Sequence, residues 1–161
     1  MDGKSLRLTL GLAALALAIF LALLWQPARQ VRLHQRHLLK AVEKRNWTNV
    51  GKFIGAEYRD RWEHDKENVI AQASPVFAQF LFCNIDAQEH SLALAEGTGT
   101  IGVRLAMSGS GGPIAEMVKE RVNSLTDPFT FKWAHKSWKP WDWELISVDQ
   151  PQLDISEMPD L

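Results

Sequence analysis

FTFKWAHKSWKPWDWELISV, residues 129–148, carries the pattern from which the architecture of this chain can be worked out. In its first half, aromatic residues and His135 occupy every second position from Phe129, which is the period of a half-buried strand. SWKP at 137–140 then turns the chain, and the last strand begins with Trp141, Trp143, Leu145 and Val148. The segment predicts an antiparallel hairpin with one aromatic face.

Further strands are predicted before this hairpin. FLFCNID (80–86) and SLALAE (91–96) read as a hairpin around the polar turn AQEH, and apolar residues alternate again from Thr100 to Ser108. GSGGP at 109–113 reads as a turn or flexible loop, followed by a short helix over 114–125. GSGGP lacks a following Lys-Ser/Thr, so it does not predict a phosphate-binding loop.

Three helices are predicted before the strands. An amphipathic helix runs from Pro27 to about Arg45, a short helix ends at Gly55, and a third begins after the N-cap residue Asp65. Pro75 falls inside the third helix and should kink or divide it. The order predicts an α+β fold in which helices pack on one side of a curved antiparallel sheet.

The N-terminal segment LTLGLAALALAIFLALLW, residues 8–25, contains no charged residue. Eighteen residues in a helix span about 27 Å, close to the ~30 Å hydrocarbon core of a bilayer. Lys4 and Arg7 precede the segment as in a secretory signal, but the exit LLWQPAR lacks an A-x-A-like cleavage site. We therefore predict a tail over 1–7, an uncleaved single-pass transmembrane helix over 8–25 that contacts membrane lipid, a domain over 26–150 and an acidic tail over 151–161.

Charge bears on the compartment and on the partners. The basic N-terminus favours export of the domain, whereas the basic residues of 29–45 favour the opposite orientation by the positive-inside rule; we expect an extracytoplasmic domain in a bacterium. With 18 Lys and Arg against 19 Asp and Glu, the net charge of −1 argues against nucleic-acid binding. Cys83 is the single cysteine, which excludes an intrachain disulfide.

The sequence resembles the NTF2-like superfamily, whose fold is also called the cone-shaped ketosteroid isomerase or SnoaL fold. The resemblance covers about residues 30–150 and rests on VEKRNW, TNVGKFIG, EYRDRW, the helix after Asp65, FTFKW and WDWELISV. It implies a pocket between a concave sheet and the helices. Some members are isomerases, cyclases or dehydratases; others are binding or assembly modules, including membrane-anchored components of bacterial secretion machines.

In the isomerase branch, the resemblance implies a carboxylate base in the segment that here contains Glu57, Asp60 and Glu63. No one of the three matches the family's position unambiguously in register, so no catalytic residue is transferred.

Six residues are predicted to line the pocket: Tyr58, Asp60, Trp62, Phe131, Trp133 and His135. In an extended segment the first three point the same way, with Asp60 as a base and Tyr58 as a donor. Alternatively, Arg59 and Arg61 pair with Asp60 and Glu57. His135 is either an acid/base on the inner wall or a core-edge histidine satisfied by a hydrogen bond.

Two other clusters have both a functional and a structural interpretation. His34 and His37 are three apart on the first helix, but no third ligand is evident, so we expect no metal and no cofactor. Trp residues 133, 138, 141 and 143, interleaved with lysines, resemble a stacking platform for bases or sugars. Alternatively, Asp142 and Glu144 pair with those lysines across the hairpin, and the indoles pack inside.

These observations favour a membrane-tethered domain without catalysis that binds a small apolar ligand or a partner protein. The alternative is an isomerase- or dehydratase-type enzyme that uses Asp60 or His135 as acid/base. A homodimer, or a contact with another membrane-associated protein, is a further hypothesis, which exposure of Leu94, Val103 or Trp143 would support.

Overall fold

The computed structural model of this protein describes the backbone of residues 3–153 and the side chains of residues 9–153. The helices are α1 (Gly3–Leu24), α2 (Pro27–Glu43), α3 (Trp47–Phe53), α4 (Lys66–Ala78) and α5 (Pro113–Ser124). The strands are β1 (Phe80–Ala95), β2 (Thr98–Gly111), β3 (Phe129–His135) and β4 (Trp143–Asp149). They form one antiparallel sheet in the order β1-β2-β3-β4, which confirms the predicted α+β class.

Helix α2 lies along the sheet from one end to the other. Near its start, Val31 is fully buried and packs so closely on Gly99 of β2 that a Cβ there would be 2.6 Å from Val31 Cγ2. Just beyond its end, the Arg45 guanidinium donates to the carbonyl oxygen of Phe80 at the start of β1 (2.7 Å). The predicted amphipathic helix is thus confirmed, with Leu38 and Leu39 among its buried residues.

The predicted hairpin around AQEH is wrong. FLFCNID and SLALAE belong to one continuous strand, β1, whose register with β2 shifts between Glu89 and Ser91. AQEH contains no glycine, proline or asparagine to reverse the chain, so these residues stay in the ladder with a bulge. The chain turns instead after Ala95, where Gly97 has a φ of 67°.

GSGGP is not a loop. Residues 109–111 continue β2, Gly112 is the N-cap of α5, and Pro113 occupies its first turn. Gly109 has a φ of 148°, and a Cβ there would lie 2.3 Å from the carbonyl oxygen of Phe82, so glycine is needed where the strands approach closely. The helix predicted over 114–125 is confirmed as α5.

The other two predicted helices form with adjusted ends. Asp65 caps α4 by accepting a hydrogen bond from the Asn68 amide (2.9 Å), and α4 continues through Pro75 without being divided. Helix α3 ends at Phe53, before the predicted Gly55, because Ile54 becomes extended and bridges to Leu145 of β4.

At both ends of the described chain, the structure differs from the predicted segment boundaries. Helix α1 begins at Gly3, inside the segment predicted as a tail. Within the side chains described, no single helix is both long and apolar enough to cross a membrane; α1 and α2, bent by 63° at their break, meet that test only as a pair. At the other end, the Leu153 carbonyl oxygen accepts from the indole of Trp62 (3.2 Å), while the rest of the predicted acidic tail, 154–161, lies outside the described residues.

The contact between α2 and the centre of the sheet is made by Trp133. Its side chain is fully buried, and its indole N–H donates to Oε1 of the buried Gln35 (3.1 Å). Within residues 9–153, the Gln35 Nε2 is the buried side-chain polar atom left without a partner.

We expect Trp133→Phe to lower the free energy of unfolding by about 2–4 kcal/mol, because it removes core volume and leaves the Gln35 oxygen buried without a donor. The matched control is Trp141→Phe, whose indole is 53% exposed and which should change stability by less than about 0.5 kcal/mol. Urea unfolding of the full chain, followed by circular dichroism, measures both. Equal midpoints for the two variants would contradict this account of the core.

Candidate functional site

A cavity of about 940 Å³ lies between α4, α5 and the inner face of the sheet. It occupies the end of the sheet away from the β1–β2 turn. Its walls are mostly apolar, and their polar groups come from the segment around Asp60, from Gln72 of α4 and from Arg121 of α5. The apolar lining includes Leu39, Val42, Val69, Val76, Phe77, Ile85, Leu105, Met107, Val118, Val122, Phe129 and Val148.

Helix α4 leaves this space open because it packs only partly onto the sheet. None of its thirteen residues, all within the described range, is fully buried. Its apolar side chains Val69, Val76 and Phe77 face the cavity instead of filling it. Apolar surface without a packing partner is the usual lining of a small-molecule site.

A smaller recess of about 400 Å³ lies between α2 and β1. Arg32 crosses it with two hydrogen bonds to the Glu89 carboxylate, at 2.7 and 2.8 Å. The hydrogen-bonded partner raises the pKa of Arg32 and lowers that of Glu89. Because these charges satisfy each other, we take the larger cavity as the candidate site.

On the polar side of the large cavity, a chain of hydrogen bonds runs from Asp60 to Gln72. The Asp60 carboxylate also acts on the neighbouring Tyr58, whose pKa it raises. Asp60 Oδ2 accepts from Nδ1 of His64 (3.0 Å), and Nε2 of His64 accepts from the Gln72 side-chain amide (3.0 Å). Since a carboxylate only accepts and Nε2 is occupied by a donor, His64 carries its proton on Nδ1.

Asp60 also shapes the backbone of this wall. Its side chain is only 1% exposed, and its Oδ1 accepts from the amides of Trp62 and His64, both at 2.9 Å. Glu63, inside this turn, has a φ of 65°. Both carboxylate oxygens are therefore used within the protein, which makes Asp60 a residue that positions Tyr58 and His64.

Burial raises the pKa of Tyr58 well above its ordinary value. Desolvation is the largest cause, followed by the negative charge of Asp60 and the hydrogen bond to it. All three favour the neutral phenol. Tyr58 thus offers the cavity wall a neutral ring and a hydroxyl already engaged by Asp60.

The six predicted pocket residues divide into two groups. Tyr58, Asp60 and Trp62 line the cavity. Phe131 and Trp133 are instead core residues, 5% and 0% exposed. The position of His135 corresponds to the core-edge alternative: its Nε2 donates to the Lys139 carbonyl oxygen (2.7 Å), and its ring lies 4.9 Å from that of Trp143.

The sheet's length explains this division. The cavity contacts only the first residue of β3, Phe129, whereas the later inward positions run under α2. Alternation alone gives the face that a residue occupies and not its position along the strand.

The alternative ion pairs predicted around Asp60 are wrong. Arg59 lies 4.0 Å from Asp65, and Arg61 lies 3.4 Å from Asp149. Glu57 pairs with Lys136 (2.9 Å), which lowers the pKa of that carboxyl and raises that of the lysine. The arginines point outward because the segment folds into a turn at Asp60, which leaves the carboxylate to His64.

His64 and Gln72 were missed from the sequence. The sequence contains one signal, a histidine four residues after Asp60, but a contact at that spacing needs a turn, whereas the alternation of this segment predicts an extended chain. Gln72 becomes adjacent only because α4 folds back over the turn.

The two other clusters do not form sites among the described residues. His34 donates from Nδ1 to the Gln30 carbonyl oxygen (2.8 Å) and packs against the Trp133 ring, and no metal-ligating group is found between residues 9 and 153. One of the ion pairs predicted across the last hairpin forms among the described residues: Lys136 Nζ lies 3.9 Å from the Glu144 carboxylate. The indoles are split, since Trp133 and Trp143 are buried whereas Trp138 and Trp141 are exposed.

Of the three residues whose exposure would support a homodimer, one is exposed. Val103 and Trp143 are 2% and 6% exposed, while Leu94 is 47% exposed. Homodimer formation stays a prediction.

Comparison with known proteins identifies the fold. No protein-family model matches the sequence, and no curated protein is significantly similar to it. Solved structures do match: a candidate dehydratase of the NTF2-like family from Streptomyces avermitilis has a TM-score of 0.56 at 12% identity, covering 76% of this chain and 93% of that one.

Two further neighbours are similar. An NTF2-like protein from Cytophaga hutchinsonii has a TM-score of 0.52 at 14% identity (74% and 93% coverage). An NTF2-like protein of unknown function from Pseudomonas putida has a TM-score of 0.51 at 9% identity (75% and 82% coverage). The fold of this chain is therefore NTF2-like.

Because the sequence contains a single tyrosine, the absorbance of phenolate reports Tyr58 alone. We expect no phenolate at pH values where a free tyrosine, with a pKa of about 10, is ionised, until the protein unfolds. The folded pKa is raised, so the unfolded chain loses the proton first and stability falls as pH rises above about 10. Spectrophotometric titration beside circular dichroism tests this.

The matched variant for this titration is Asp60→Asn. Removing the negative charge should lower the pKa of Tyr58 and bring the phenolate absorbance to lower pH. A wild-type protein that is folded yet ionises Tyr58 near its ordinary pKa would show that the hydroxyl is open to water.

Proposed function

We propose that this NTF2-like domain is held at a membrane by α1 and binds a small, largely apolar ligand in the cavity under α4. The cavity is the observation that carries the proposal. Its volume of about 940 Å³ lies within the range typical of small-molecule sites. The polar groups at one side favour a ligand with a hydrocarbon body and one polar end.

The hydrogen-bonded state of Asp60 supports binding in preference to catalysis. A general base needs a lone pair directed at the substrate. Both oxygens of Asp60 accept hydrogen bonds from the protein, and its side chain is 1% exposed. Asp60 therefore serves to orient Tyr58 and His64 at the wall.

A second candidate function is acid–base chemistry on the bound ligand. The Asp60–His64 pair favours it, because a carboxylate on Nδ1 orients an imidazole whose Nε2 can then exchange a proton. Gln72 holds that Nε2 and would have to give way to the substrate. In this second candidate function, His64 takes the acid/base role that the sequence suggested for Asp60 or His135. His135 lies outside the cavity.

The membrane tether rests on α1. Most of its side chains from Leu10 onward are exposed, and all of them are apolar; Leu21 and Leu24 are half-buried. Such a surface is stable in hydrocarbon and costly in water. Among these exposed residues are Leu10, Leu12, Leu15, Leu17, Ile19, Phe20 and Leu23.

A charge in the cavity should abolish ligand binding. Leu105→Asp places a carboxylate on the lining, and desolvating it beside an apolar ligand should reduce occupancy more than about tenfold. Small molecules extracted from the full chain in lipid nanodiscs are measured by mass spectrometry. The matched control is Ala106→Asp, on the opposite, exposed face of β2.

A species bound by the wild type and by Ala106→Asp, but not by Leu105→Asp, is the expected result. Extracts that are identical for all three proteins would contradict ligand binding in this cavity. His64→Ala separates the two functions: a bound species of different mass from that in the wild type would indicate conversion, and the same species would indicate binding alone.

The membrane tether predicts that the full chain stays in the pellet after alkaline carbonate, and that Leu15→Arg, in the middle of α1, releases a large fraction. A reporter fused to the C-terminus should be active outside the cytoplasm. Activity on the cytoplasmic side would reverse the orientation, and release of the wild-type chain by carbonate would remove the tether.

A further inference from the structure

The exposed tryptophans of the β3–β4 connection present a surface that neither the core nor the cavity explains. Trp138 is 86% exposed and Trp141 is 53% exposed. We name residues 136–142 the tryptophan loop. Large aromatic side chains left in water at this level call for a partner.

The loop is a fixed structure. The Lys136 amide donates to the Asp142 carbonyl oxygen across its base (2.9 Å). Inside it, the Trp143 indole donates to the Pro140 carbonyl oxygen (2.9 Å), and His135 binds the Lys139 carbonyl oxygen. The two exposed indoles are therefore presented from a closed turn.

The loop lies at the same end of the sheet as the β1–β2 turn. The His135 amide donates to the carbonyl oxygen of Gly97 in that turn (2.8 Å). Leu94, 47% exposed, precedes the turn. One end of the sheet thus carries three large exposed apolar side chains.

The same end of the sheet is where α1 joins the domain. Gly99, next to the β1–β2 turn, packs against Val31 in the second turn of α2. One residue earlier, the Gln30 side-chain amide donates to the Leu24 carbonyl oxygen, the last residue of α1 (2.7 Å). Trp25, at the break between the helices, is 43% exposed.

We infer that the tryptophan loop inserts its indoles into the headgroup region of the bilayer that holds α1, so that the domain rests on the membrane at two points. The inference depends on the membrane tether proposed above. Indole suits this region because its ring is apolar while its N–H stays near polar groups.

The position of this end agrees with a lipid partner. Its charges are mixed, since the exposed Lys139 and Arg29 are accompanied by the exposed Glu96 of the β1–β2 turn and by Asp142, so the contact is argued from the indoles and not from charge. The cavity lining comes from the opposite end of the sheet, so a domain seated in this way keeps the cavity away from the lipid surface.

The test measures the depth of a fluorophore on full-length protein in vesicles of phosphatidylcholine and phosphatidylglycerol. Cys83→Ala removes the native thiol, and Ser137→Cys carries an NBD label in the loop. The matched control is Ser124→Cys at the far end of α5; Ser124 is exposed, and Ser137 is half-buried. Spin-labelled headgroup lipid should quench the label at 137 at least about twofold more than the label at 124.

Trp138→Ser combined with Trp141→Ser should abolish that difference while the chain remains resistant to carbonate. Equal quenching at 137 and 124 in a carbonate-resistant chain overturns the loop contact and leaves the tether intact. Quenching at 137 that survives the double substitution also overturns it, since α1 alone would then hold the loop near lipid. Release by carbonate removes the tether and this inference together.

Discussion

The packing of α2 along the whole sheet is the constraint on which the rest of this structure depends. Val31 fixes the start of the helix against Gly99, the Gln35–Trp133 hydrogen bond fixes its middle, and Arg45 fixes the chain beyond its end to Phe80. A helix held at three points cannot rotate about its axis. It therefore defines one end of the sheet next to α1 and leaves the other end to α4 and α5.

The cavity follows from what α2 does not cover. At the far end of the sheet, α4 spans the inner face without any fully buried residue among those described, so apolar surface remains open there. The turn at Asp60 closes one side and supplies the polar chain through His64 to Gln72. The NTF2-like fold provides the concave shape, while these residues give this cavity its own chemistry.

The two ends of the sheet thus have separate roles. The end beside α1 carries the exposed indoles of Trp138 and Trp141, and the end beside α5 encloses the cavity. Tyr58 is buried at the cavity end of the sheet, where burial raises its pKa and keeps the phenol neutral. Trp138 is exposed at the opposite end of the sheet, beside α1. The two ends of one sheet therefore differ in what they expose: aromatic side chains at one end and an apolar cavity at the other.

Features that depend on neighbouring residues in the chain are predictable from the amino-acid sequence. Periodicity predicted α2, α4, α5, β2 and the last hairpin, and Asp65 predicted the start of α4, because amphipathic faces and caps are local. The turn at AQEH was wrong, since a bulged strand has no local mark there. Contacts between distant segments are not predictable in this way: Asp60 faces His64 and not the arginines, and Trp133 is in the core while Trp138 is on the surface. The reason is that the residues of one alternating pattern meet different partners along the length of the sheet.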